Sequence, residues 1–178
     1  WCPRAGRLAQ MQVSLAPVSL PSLDGLGCEL LALGCFLEER PLRGAAGLVD
    51  WRLNGWLSRQ LQQSRFRGEF AELLLFPVGH RIGPQRALLV GLGALADWDE
   101  ARLGEAADLW WGVVARLRVK AVALAFPFAP RLSIPRRRLV PLLTAGVGRH
   151  LGEEEADPRR RFIVLAPAEE VKSLAAAS

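Results

Sequence analysis

The chain has 178 residues, 51% of them hydrophobic, and a mean hydropathy of +0.16, which excludes a disordered polypeptide and suffices for one domain with a full core. Lys plus Arg total 23 against 18 for Asp plus Glu, a net charge of +5 with a pI near 10.0, and Lys120 and Lys172 are the only lysines. That balance admits an anionic partner but names none, and no apolar run reaches the roughly 20 residues of a membrane span.

In chain order, residues 1–11 read as an extension upstream of the fold, with Met11 the only methionine, and residues 12–178 as a single domain. The N-terminus lacks the continuous apolar segment of a signal peptide, so a cytoplasmic protein is expected. Gln12–Ala16 is predicted as an edge strand, limited by Pro17 and Pro21. Cys28–Leu37, CELLALGCFL, is predicted as a central strand. Seven positions apart in one strand, Cys28 and Cys35 would point to opposite faces and could not pair. Glu38–Gly47 is expected to be a loop, and Asp50 the N-cap of a helix carrying Leu53, Leu57 and Leu61.

Two apolar runs follow, Leu73–Val78 and Ala87–Val90, joined by a turn built on Gly79, Gly83 and Pro84. They predict a hairpin in the middle of the sheet. Gly91-Leu92-Gly93 then turns the chain, and Asp97 with Glu100 stands in the relation of a capping box. Leu103, Ala106, Ala107, Trp110, Val114 and Leu117 lie at three- and four-residue steps, which predicts a long amphipathic helix. Of the neighbours Trp110 and Trp111, one is expected in the core and the other at its margin, where an aromatic platform for bases is conceivable. Ala121–Phe126 is the next strand. Ser133 and Pro135 announce a helix, which Pro141 should delay to about Val140. Glu153–Pro158 is an acidic loop, Phe162–Ala166 the last strand, and Ala168–Ala176 a short terminal helix. Strands alternating with helices, apolar on both faces, predict a three-layer α/β/α domain with a mixed, mostly parallel sheet.

The series of a strand over Leu30–Phe36, then RFRGEFAELLLF at Arg65–Phe76, then RALLVGLG at Arg86–Gly93 before a capped helix, resembles the N-terminal domain of the leucyl, or cytosol, aminopeptidase family. The resemblance covers roughly Asp24–Ala166 and implies a macro-domain-like fold. In that family the activity resides in a C-terminal domain, where lysine, aspartates and a glutamate hold two metal ions. Its asparagine-threonine-aspartate-alanine-glutamate-glycine-arginine signature is not in this sequence, and the family's tyrosine before the last strand is missing too. The resemblance therefore implies a non-catalytic domain, one that packs on a catalytic domain and serves assembly.

No catalytic residue, metal ligand or cofactor is predicted: His80 and His150 stand apart, and Glu153, Glu154 and Glu155 are consecutive rather than convergent. The expected function is an assembly or protein-interaction module, with self-association or a separate or downstream aminopeptidase domain as partner. Two alternatives stand beside it. A macro-like fold holds nucleotide or ADP-ribose on a glycine-rich loop, for which Gly44 and Gly47 are the candidates. Nucleic acid would be bound through two arginine triplets, Arg136, Arg137 and Arg138 with Arg159, Arg160 and Arg161.

Overall fold

The computed structural model describes residues 12–127, 136–150, 160–169 and 171–172, without the side chains of residues 136, 137 and 148. The predicted acidic loop, Ser133, Pro135 and most of the terminal helix lie outside these residues.

Six strands form one sheet: β1 (Gln12–Pro17), β2 (Leu30–Cys35), β3 (Leu73–Pro77), β4 (Arg86–Gly91), β5 (Ala121–Ala125) and β6 (Arg161–Ala166), in the order β1-β6-β5-β2-β4-β3. Every pairing is parallel except β3 with β4. The alternation of the strands sorts their side chains into two cores. Leu30 and Ala32, Leu88 and Val90, Val122 and Leu124, and Phe162 and Val164 face one side. Leu31 and Leu33, Ala87 and Leu89, Ala123 and Ala125, and Leu165 face the other. The first core is covered by α4 (Glu100–Leu117) and α5 (Arg136–Ala145), with α6 (Val147–His150) beside α4. The second is covered by α1 (Leu20–Gly25), α2 (Gly44–Arg52) and α3 (Trp56–Gln62). This is the expected three-layer α/β/α domain with a mixed, mostly parallel sheet.

Several local expectations are corrected. The β3–β4 hairpin is not in the middle: β4 is second from one end and β3 is the edge, with Leu73 and Leu75 exposed. The β2 strand begins at Leu30, so the alternation does not reach back across Glu29. Cys28 and Cys35 therefore join the same core, as buried free thiols at opposite ends of β2. The helix predicted from Asp50 is two helices. Asn54 (φ 53°) and Gly55 (φ 74°) adopt the left-handed conformation that ends one helix and starts the next. Asp50 lies within α2 and caps α3 from outside, accepting from the Ser58 amide (3.1 Å) and hydroxyl (2.5 Å).

The cap of α4 is Asp99, not Asp97. Its carboxylate accepts from the Arg102 amide at 2.8 Å, while Asp97 closes a 3₁₀ turn over Leu95–Asp97. The shift accompanies Trp98, buried between these two aspartates with its indole N–H on the Leu92 carbonyl at 2.7 Å. Trp110 and Trp111 are both buried. Trp110 packs on Phe162 of the sheet, and Trp111 reaches α5, donating to the Leu143 carbonyl at 2.6 Å. A helix flanked on two sides has room for both, and neither is a platform for bases. Pro141 sits inside α5, which begins at Arg136 rather than near Val140.

Candidate functional site

The path of the chain defines a crevice. From β2 it passes through α2, α3 and β3 to β4 on one side, and from β4 it returns through α4 to β5 on the other side of β2. In sheets wound this way, a crevice opens at the carboxyl ends of the strands where the winding reverses. Here it is a cleft of about 840 Å³, a size that suits a small-molecule ligand. Gly34, Phe36 and Ala125–Pro127 form its floor, Glu39, Arg40, Arg43 and Gly44 one wall, and Pro167 and Glu169 the opposite rim.

Glycine at position 34 of β2 lets the floor pack closely against its neighbours. A methyl group there would lie 2.8 Å from both Leu92 Cδ1 and Pro127 Cδ. The wall is fixed by two side chains that sequence reasoning passed over. Glu39 accepts from the Arg43 amide at 3.2 Å and the Phe36 amide at 3.4 Å, tying the residue after β2 to the N-cap of α2. Arg40 spans the loop, donating to the Glu39 carbonyl at 3.1 Å and the Arg67 carbonyl at 2.7 Å. Burial is the largest influence on Glu39 and lifts its carboxyl above the ordinary range, while the hydrogen bonds from the Arg43 and Phe36 amides pull the other way. These residues sit in a stretch read from the sequence only as a loop; the run of Glu38, Glu39, Arg40 and Arg43 just after an apolar strand was the available signal.

Of the predicted ligand-loop glycines, Gly44 lines the cleft at the first position of α2, with φ +54°. Gly47 does not. It lies one turn into the helix, packed where a side chain would meet the Leu42 carbonyl at 2.8 Å. Both therefore belong to α2, not to a loop before a helix at Asp50.

The described members of the two arginine triplets are not brought together. Arg138 pairs with Glu100 at 2.8 Å, at the start of α4. Arg160, 8% exposed, reaches the Val119 carbonyl at 3.4 Å, and Arg161 donates to the Gly27 carbonyl at 2.5 Å. These two lie beyond the far end of α4, a helix about 27 Å long at 1.5 Å per residue. Arg159 and the side chains of Arg136 and Arg137 are outside the described residues.

Among the described residues, no group of three or more His, Cys, Asp or Glu is placed to hold a metal ion. His80 stands in the β3–β4 turn with φ 59°, and His150 shares Asp108 with Arg149. Burial pushes the Cys28 thiol up to about 11 and the Cys35 thiol to about 12. Neither is a nucleophile at neutral pH.

The profile of the cytosol aminopeptidase family's N-terminal domain matches residues 32–134. The chain belongs to that family. Two probable cytosol aminopeptidases illustrate the relationship. That of Rippkaea orientalis is 31% identical over 114 residues, covering 62% of this chain and 22% of the relative. That of Syntrophotalea carbinolica is 33% identical over 128 residues, covering 72% and 25%. The chain thus spans about a quarter of the length of such relatives, and what matches is the N-terminal domain. Among solved structures, a mutant of tomato leucine aminopeptidase superposes with a TM-score of 0.65 at 16% identity, over 94% of this chain and 35% of that one. A Trypanosoma brucei macrodomain in complex with ADP superposes with a TM-score of 0.69 at 12% identity, over 99% and 72%. The cytosol aminopeptidase N-terminal domain in this chain has the macrodomain fold.

Proposed function

We propose that this chain is the non-catalytic module of a cytosol-aminopeptidase-type protein and works by protein contact, in the cytoplasm, with an aminopeptidase catalytic domain or another copy as its partner. One observation carries this. The sheet ends in β3, an edge strand whose Leu73 and Leu75 are 38% and 45% exposed. An apolar edge offers both unpaired backbone groups and buriable side chains, a combination that soluble proteins ordinarily block with charge, proline or a covering element. The test is light scattering on the isolated chain, together with a pull-down against a separately expressed cytosol aminopeptidase catalytic domain. Self-association or capture supports the reading. A strict monomer that captures nothing overturns it.

A second reading rests on the cleft. Two of the T. brucei macrodomain structures that share this fold contain ADP or ADP-ribose. The cleft here has the volume for such a ligand and borders the start of α2, where unpaired amides and the helix dipole favour an anion. Against this, Glu39 already holds the Arg43 amide, so an incoming phosphate meets a carboxylate at that point. Calorimetry with ADP and ADP-ribose decides: absence of heat at high ligand concentration removes this reading. Nucleic-acid binding through the arginine triplets is the weakest alternative, since Arg138 is ion-paired and Arg160 is buried at the other end of the domain.

A further inference from the structure

We infer that β3 pairs with β3 of a second copy of this chain, antiparallel, about a two-fold axis beside Leu74. The inference rests on the contact reading above and assigns its partner.

The register of β3 shows which backbone groups are available. Val78 N–H donates to the Gln85 carbonyl at 3.2 Å, and Gly91 N–H to the Glu72 carbonyl at 2.8 Å. With Leu74 opposite Leu89 and Phe76 opposite Ala87, the even-numbered residues of β3 bond inward to β4. The N–H and C=O groups of Leu73 and Leu75 consequently point out of the sheet. These are the same two residues whose side chains are exposed, on the α4 side of the sheet and beyond the cover of that helix. Pro77, which lacks an N–H, ends the strand, and Ala71 at its entrance has φ 67° and gives its own N–H to the Gly91 carbonyl. The usable edge is therefore Leu73 to Leu75.

One antiparallel register satisfies all of it. With Leu73 opposite the second copy's Leu75, each of these residues donates to and accepts from its opposite number. The exposed leucines of both copies then meet on one face. Moving the axis to Leu75 would place Leu73 against Pro77, which cannot donate. The opposite edge, β1, shows no such match, because exposed Gln12 and Ser14 interrupt its apolar residues.

Sedimentation over a dilution series tests the pairing. The wild-type chain is expected to dimerise reversibly, and Leu73→Glu with Leu75→Glu to raise the dissociation constant more than about tenfold, by setting like charges near each other at the seam. These side chains are exposed, so circular dichroism should show the fold retained. The register is read separately by cross-linking in a Cys2→Ser background. Leu74→Cys lies opposite itself in a non-hydrogen-bonded pair, with Cα atoms about 4.5 Å apart, within disulfide range. It should form a covalent dimer under mild oxidation, faster than Leu73→Cys. A wild-type monomer throughout, a dimer indifferent to the glutamates, or faster cross-linking at position 73 would overturn the inference. In the case of a monomer, the catalytic-domain pull-down decides independently whether the contact reading survives.

Discussion

Replacing Gly91 by alanine probes the joint between the sheet and the loop over it. Gly91 ends β4 beneath residues 67–72, and its added methyl would stand 2.9 Å from the Gly68 carbonyl carbon and 3.0 Å from that of Glu69, closer still to the Glu69 oxygen. All three atoms are backbone, so no side chain can swing away. The loop is held by the Glu72 carboxylate, which accepts from the amides of Arg67, Gly68 and Glu69 at 2.8, 2.9 and 3.2 Å. It is also tied to the strand by the Gly93 amide on the Gly68 carbonyl at 2.9 Å. Forcing a methyl into a packed site costs about 1–3 kcal/mol. Lifting the loop weakens several hydrogen bonds worth about 1 kcal/mol each. A loss of about 3–5 kcal/mol follows, a large part of the ~5–15 kcal/mol that holds a domain together. Urea unfolding followed by tryptophan fluorescence would measure it, with an unchanged slope showing that compactness is retained. A loss below about 1 kcal/mol would refute the close-approach argument, because only a loop that moves freely absorbs the methyl at that cost.

Two further outcomes are expected. Burial raises the Glu39 carboxyl, so the folded chain holds that proton more tightly than the unfolded one. Its contribution to stability is full below the unfolded value and is lost as pH rises through the folded one. Glu39→Gln cannot titrate. The stability of wild type relative to this variant should therefore improve as pH falls from neutral into the carboxylate range, and a decline in thermal-melt comparisons would contradict the burial of Glu39. With thiols near 11 and 12, Cys28 and Cys35 should resist a thiol reagent in the native Cys2→Ser chain and react only on unfolding. Prompt labelling at neutral pH would show that one of them is accessible.

Much of the fold was legible because its signals are local. The apolar runs Cys28–Leu37 and Ala121–Phe126 and the stepped pattern from Leu103 to Leu117 each specify an element within a few residues, and each element forms, the two strands shorter than expected at Leu30–Cys35 and Ala121–Ala125. Gly93 is the turn residue expected, with φ +73°. Gly91 is not a turn residue: it is required by a loop that reaches it from twenty residues earlier in the chain, and no local pattern reports such an approach. Asp50 was legible as a capping residue but not as the cap of the next helix, because its partner Ser58 is brought to it by the left-handed residues Asn54 and Gly55. The candidate site was the least legible part. Gly44, named from the sequence, lines the cleft, while Glu39 and Arg40 were passed over, since their roles depend on backbone groups at Phe36, Arg43 and Arg67 that only the folded loop assembles.

The sequence by itself determined the α/β layering and the membership of the cytosol aminopeptidase family, because hydrophobic period and short-range motifs are properties of contiguous residues. Tertiary structure decided the order of the strands. Leu73–Pro77 and Arg86–Gly91 are both apolar and read alike as buried, yet β4 has a neighbour on each side and β3 has one. That difference depends on where β2 and β5 pair, which no stretch of β3 encodes. It leaves Leu73 and Leu75 on the surface and separates Arg138 from Arg160 by the length of α4.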